Sequence, residues 1–128
     1  MNMKGDSACY LQYSYARAKG ILRKSNVNMD EILSEPKKTY FSEEEYKILK
    51  KLSLFYYVAN RAKEEYSPST IANYCLDIAG LFNTFYAKNP VLDAEEKVKN
   101  ARLLLVLAFS QTLKEALSLL LVECAEEI

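Results

Sequence analysis

Residues 10 to 24 read Tyr10-Leu11-Gln12-Tyr13-Ser14-Tyr15-Ala16-Arg17-Ala18-Lys19-Gly20-Ile21-Leu22-Arg23-Lys24, and the spacing within this stretch decides the fold. Leu11, Tyr15, Ala18 and Leu22 recur at steps of four, three and four, which on a helix of 3.6 residues per turn makes one apolar strip for packing. Tyr10, Tyr13, Arg17 and Lys24 fall on a second strip, about 100° round the same helix. The second strip mixes aromatic faces with fixed positive charge. Rings that stack on bases, beside a guanidinium and an ammonium that meet phosphate, are what single-stranded RNA binding requires. By spacing alone the same strip also suits a core face or a solvated helix face.

Outward from this stretch the chain keeps the helical period. Asp6 or Ser7 can cap the first helix, placed at Ser7 to Lys24, and Gly20 is tolerated inside it at some cost. Asn28 with Glu31 three residues on opens a short helix through Leu33, which Ser34-Glu35-Pro36 ends. Ser42 and Glu45 form a capping-box pattern, and Ile48, Leu52, Phe55, Ala59 and Ala62 continue at four-three spacing to Glu65. Ser67 before Pro68 starts another helix, with Ile71, Cys75, Ile78, Phe82 and Phe85 on one face, ending near Lys88 before Pro90. Asp93 and Glu96 make a further cap-and-box pair. From Ala101 the chain is apolar on nearly every face through Phe109 and again from Leu113 to Val122, and a helix apolar all round belongs in the middle. With three Gly and three Pro in 128 residues and no internal repeat, the spacing predicts an all-α helical bundle, four long helices plus a short one, in one domain over residues 1–128.

Seventeen Lys and Arg balance seventeen Asp and Glu, so the net charge does not announce a nucleic-acid binder. The distribution does more. Lys4, Arg17, Lys19, Arg23 and Lys24 face only Asp6 in the first 29 residues, whereas Glu115, Glu123, Glu126 and Glu127 crowd the end without a base, which puts the positive field at the front. Histidine is absent, removing the commonest general base and the commonest metal ligand together. Cys9, Cys75 and Cys124 are odd in number, far apart and without a C-x-x-C, so neither a zinc site nor a disulfide framework is expected and a reduced, cytoplasmic setting fits. The strictly apolar run Leu103 to Phe109 falls far short of the roughly twenty residues that span a bilayer, and no signal-peptide core is seen at the N-terminus. A soluble chain is expected.

No phosphate-cradling G-x-x-x-x-G-K, no G-x-S-x-G and no H-E-x-x-H occurs, so no catalytic residue and no metal site is assigned. Asp77, mid-helix among apolar neighbours, reads as a salt-bridged or exposed acid rather than a perturbed carboxylate. Ten Tyr stand against five Phe and no Trp. Tyr56, Tyr57, Tyr74 and Tyr86 lie within helix patterns where the ring packs and the hydroxyl reaches a rim; Tyr10 and Tyr13 differ in sharing a strip with Arg17.

Four separated segments resemble the C-terminal anticodon-binding domain of the arginyl-tRNA synthetase family, the DALR-type domain. Gly5-Asp6-Ser7-Ala8 with Tyr10-Leu11-Gln12-Tyr13-Ser14-Tyr15-Ala16-Arg17 resembles G-[DN]-[ST]-A-P-Y-[LIV]-Q-Y-[AT]-H-[AS]-R, with Cys9 for the family proline and Tyr15 for its histidine, and Ile21-Leu22-Arg23-Lys24 follows as I-L/F-R-K. The most specific likeness runs from Pro68 through Ile71-Ala72-Asn73-Tyr74-Cys75-Leu76-Asp77-Ile78-Ala79-Gly80, Phe82 and Phe85-Tyr86 to Pro90-Val91-Leu92. Arg102-Leu103 and Lys114-Glu115-Ala116-Leu117-Ser118-Leu119-Leu120 resemble the last family helix. There Ala116 and Leu121 stand for glycines, Ala125 for proline and Ile128 for the terminal methionine.

The resemblance implies a domain that recognises the anticodon loop of arginine tRNA during arginylation by a larger, ATP-dependent ligase. Catalysis would lie on a separate domain that carries ATP and arginine, so this domain alone would need no cofactor and would not aminoacylate. Its implied partners are arginine tRNA and that catalytic domain, not DNA or a membrane. Carried over by position, Tyr10, Tyr13, Arg17, Tyr74 and Ile128 would face the anticodon. Lys19, Arg23 and Lys24 would position phosphates. The alternative is a helical protein-interaction module whose tyrosine-rich face packs on a partner and binds no RNA.

Overall fold

The computed structural model describes residues 5–34 and 41–126, with side chains through 121. Among these residues there are six helices and no strand: α1 Gly5–Ser25, α2 Met29–Ser34, α3 Glu43–Ser53, α4 Phe55–Glu65, α5 Pro68–Lys88 and α6 Glu96–Glu126. The predicted all-α bundle is what forms, with one difference of element. The helix expected from Ser42 to Glu65 is broken at Leu54 into α3 and α4.

The start of α3 follows its sequence signal. The Ser42 side chain accepts from the Glu45 N–H at 3.2 Å, and the Glu45 carboxylate accepts from the Ser42 N–H at 2.9 Å, closing a reciprocal capping box. The end of α3 does not follow any such signal. Leu54 sits at φ −82°, ψ 0° and its N–H turns back to the Lys51 carbonyl at 3.3 Å, so the last carbonyls of α3 lose their helical donors. Tyr74 of α5 supplies one instead, its hydroxyl donating to Lys51 O at 2.9 Å and Leu52 O at 3.1 Å. Pro68 stands in the first turn of α5 as predicted, but the Ser67 hydroxyl pairs with that of Ser69 at 2.7 Å rather than capping the helix. α6 begins at Glu96, with the Glu95 carbonyl taking the first helical bond, so Asp93 lies outside the helix it was expected to cap.

α6 is the centre of the bundle. It packs against each of the other five helices, and Leu103, Leu105, Val106, Phe109, Leu113 and Ala116 are completely or almost completely buried. Glu96–Leu121 is long and apolar enough to cross a membrane by length and composition alone. Its contacts with all five neighbours give that composition its use as a core helix. Phe109 stacks on Phe82 of α5 at 4.2 Å and 8°, the tightest aromatic contact of the core. α1 lies on α5 and α6 and shares no contact with α4.

A polar tie crosses this core. Arg102 of α6 reaches the Pro90 carbonyl at 2.6 Å and the Asn89 side chain at 3.3 Å, and its Nε lies 3.7 Å from the Glu45 carboxylate. Glu45 is only 2% exposed, so the guanidinium is the charge that allows the capping carboxylate to be buried.

Candidate nucleic-acid interface

The buried stripe of α1 is Leu11, Ser14, Ala18, Ile21 and Ser25. Tyr15 and Leu22, expected at its centre, lie partly buried at its edge. The stripe is rotated because Ser14 can be buried at no loss: its hydroxyl donates to the Tyr10 carbonyl at 2.9 Å and accepts from Asn83 at 2.8 Å. That rotation brings Tyr10, Tyr13 and Arg17 beside α5 without covering them. Tyr10 is 38% and Tyr13 59% exposed, as a reading surface requires.

Arg17 sits between two rings. Its guanidinium carbon is 4.5 Å from the Tyr86 ring centre and 5.9 Å from that of Tyr13, both within cation–π range. Its Nη1 donates to Asn83 Oδ1 at 3.1 Å, and among the described residues no carboxylate pairs with it. Tyr86 in turn lies parallel to Phe82, 6.1 Å away at 10°. A run of stacked groups therefore leads from Phe109 in the core through Phe82 and Tyr86 to Arg17 at the surface. Tyr13, Arg17, Gly20, Arg23, Lys24 and Tyr86 line a groove of about 470 Å³. An aromatic wall on each side, a guanidinium between and two cations at the edge offer an unpaired base a stacking face and its phosphate a counter-charge.

Not every residue expected here is present. Tyr74 is 3% exposed and its hydroxyl is spent on the end of α3, so it shows no face to a ligand and belongs to the core. Lys19 is two residues from Arg17, about 200° round the helix; it is exposed but does not line the groove. Ile128 lies outside the described residues. Conversely, Tyr86 and Asn83 join the site without having been singled out for it. The sequence context of Tyr86 fits a structural ring; the usable signal for the site is its place one turn beyond Phe82 and Asn83 on the same helix.

A larger cleft of about 590 Å³ runs between α3 and α5 past Lys47, Lys51, Asp77 and Leu81. Its charges are of both signs and it has no aromatic lining, so it lacks the chemistry for stacking or for phosphate. Asp77 is 62% exposed there and 4.0 Å from Lys51, the exposed helix acid its sequence context suggested. Tyr56 and Tyr57 are corrected in the other direction: at 71% and 62% exposure they pack little of their rings, because Phe55 and Ala62 take the inward positions of α4.

A helical domain with an open tyrosine and arginine strip has the makings of a reader of unpaired RNA, and comparison with known proteins gives that class its family. The DALR anticodon binding domain matches residues 11–128, and the chain belongs to this family. Over its whole length the chain is 39% identical to part of the arginine-tRNA ligase of Pyrococcus abyssi, covering 21% of that protein. It is 37% identical to part of the Thermococcus sibiricus arginine-tRNA ligase across 98% of the chain, covering 20% of the relative, and 39% identical to part of that of Clostridium acetobutylicum, covering 22%. The chain thus spans about a fifth of the length of the curated relatives it matches.

Proposed function

We propose that this domain holds the anticodon loop of an arginine tRNA for an arginyl-tRNA synthetase whose ATP and arginine bind on a separate catalytic domain, in the cytoplasm. The observation that carries this reading is the groove where Tyr13 and Tyr86 flank Arg17 at 5.9 and 4.5 Å, on a domain of the anticodon-binding family. Tyr10 and Tyr13 stack on or wall in splayed bases, Tyr86 backs the Arg17 guanidinium, Arg17 hydrogen-bonds a base edge or a phosphate, and Arg23 and Lys24 hold the backbone without reading sequence. Because the chain is neutral overall, its affinity alone is modest, and the whole ligase gains from a second contact with the same tRNA through effective concentration.

Titration with a synthetic anticodon stem-loop of an arginine tRNA tests this. Arg17→Ala weakens binding about tenfold or more, the range expected of a base-reading arginine, and wild-type affinity falls as salt rises. Equal binding by the two proteins, with no salt dependence, rejects the reading. The exposed rings of α4 support a protein contact as well: Tyr56 and Tyr57 stand out from the surface, and tyrosine is favoured at interfaces. We assign that face to the catalytic domain. Tyr56→Ser with Tyr57→Ser then leaves stem-loop affinity unchanged and weakens association with a separately supplied catalytic domain.

A further inference from the structure

Asn83 hydrogen-bonds Tyr10, Ser14 and Arg17 at once. Its Oδ1 accepts from Arg17 Nη1 at 3.1 Å, and its Nδ2 donates to Ser14 Oγ at 2.8 Å and to the Tyr10 hydroxyl at 3.1 Å. Chemistry fixes which end of the amide is which. A guanidinium can only donate, so the atom facing it is the oxygen, and the nitrogen must face the two hydroxyls. Ser14 is locked in the matching sense, since its own proton goes to the Tyr10 carbonyl at 2.9 Å. The Tyr10 hydroxyl therefore accepts from within and keeps its proton for the outside. Arg17 spends Nη1 inward, leaving its other N–H groups without a described carboxylate to satisfy them.

We propose that Asn83 is a positioning residue that sets the hydrogen-bond polarity of the strip, so that Tyr10 and Arg17 present donors alone to a ligand edge built of acceptors. Such an edge is a phosphate oxygen, or a carbonyl oxygen beside an unprotonated ring nitrogen on an unpaired base. A base edge that brings its own N–H to this point sets donor against donor and is refused. This rests on the RNA reading and adds to it a rule for what the Tyr10 and Arg17 strip accepts.

The test is a double-mutant cycle on stem-loop binding with wild type, Asn83→Ala, Arg17→Ala and the double variant, each checked by thermal melting. Asn83→Ala should weaken binding about threefold to tenfold, the worth of one or two neutral hydrogen bonds. Most of that loss should vanish when Arg17 is already alanine, because Asn83 acts through it. In the free protein, ¹⁵N relaxation of the Arg17 guanidinium should show greater mobility in Asn83→Ala, and Asn83→Ser serves as the variant if the alanine protein does not fold. Repeating the cycle at rising salt and with single abasic positions in the loop separates the two sources of acceptor. A smaller salt slope common to all loops assigns a phosphate. Loss of the penalty at one abasic position assigns a base. The proposal is overturned if Asn83→Ala binds like wild type while Arg17→Ala is weaker, or if the two losses simply add. Wild-type binding by Arg17→Ala overturns the RNA reading itself and this inference with it.

Discussion

Tyr74 and Cys75 are neighbours on α5, and burial drives both away from ionisation. It pushes the Tyr74 hydroxyl up from 10.0 to about 12, with the adjacent thiol adding a little, and the Cys75 thiol up from 9.0 to about 12. Raised values mean the folded state favours the neutral forms. Their contribution to stability is complete below about pH 9 and is lost as pH climbs from about 9 to about 12. Urea denaturation across that range should show stability falling, with Cys75→Ala delaying the onset toward pH 10; a flat profile would contradict the burial. At neutral pH, Tyr74→Phe should cost about 1 kcal/mol by removing the donor from two carbonyls of α3, and leave stem-loop binding intact. At this scale the sequence was informative where a residue's role depends on its own helix: Tyr10, Tyr13 and Arg17 share a strip because of their spacing. Tyr74 and Asn83 were not legible because their roles depend on other helices. Tyr74 serves carbonyls 22 and 23 residues away, and Asn83 bonds hydroxyls 69 and 73 residues away.

Among the elements, the break at Leu54 shows why propensity fails as a guide to where a helix stops. Leucine is a good helix former and no glycine or proline marks the site, whereas the capping box at Ser42 is a local device and could be read directly. The stop is held from outside by Tyr74, whereas the tie between Glu45 and Arg102 fastens the other end of α3. Removing that tie should be felt across three helices. Arg102→Ala leaves the Glu45 carboxylate buried without its charge partner, for an expected loss of about 3 kcal/mol at neutral pH, measured by chemical denaturation. A loss below about 1 kcal/mol would mean that the 3.7 Å pair is a surface contact in effect. α6 was legible as the central helix, since a helix apolar on every side has few places to go, but its start was not, Asp93 lying outside it.

For the molecule as a whole, the zero net charge would have argued against RNA had the charges not been placed unevenly. Folding sharpens that placement by gathering Arg17, Arg23 and Lys24 round one groove with Tyr13 and Tyr86, while the aromatic side chains of α4 stand on a helix that shares no contact with α1. The two faces predict separable partners. The direct measurement is chemical-shift mapping of the ¹⁵N-labelled domain as an arginine tRNA anticodon stem-loop is added. The largest changes should fall on α1 from Tyr10 to Lys24 and on α5 from Asn83 to Tyr86, with Tyr56 and Tyr57 unmoved. Changes centred on α4, or spread evenly over the surface, would contradict the account.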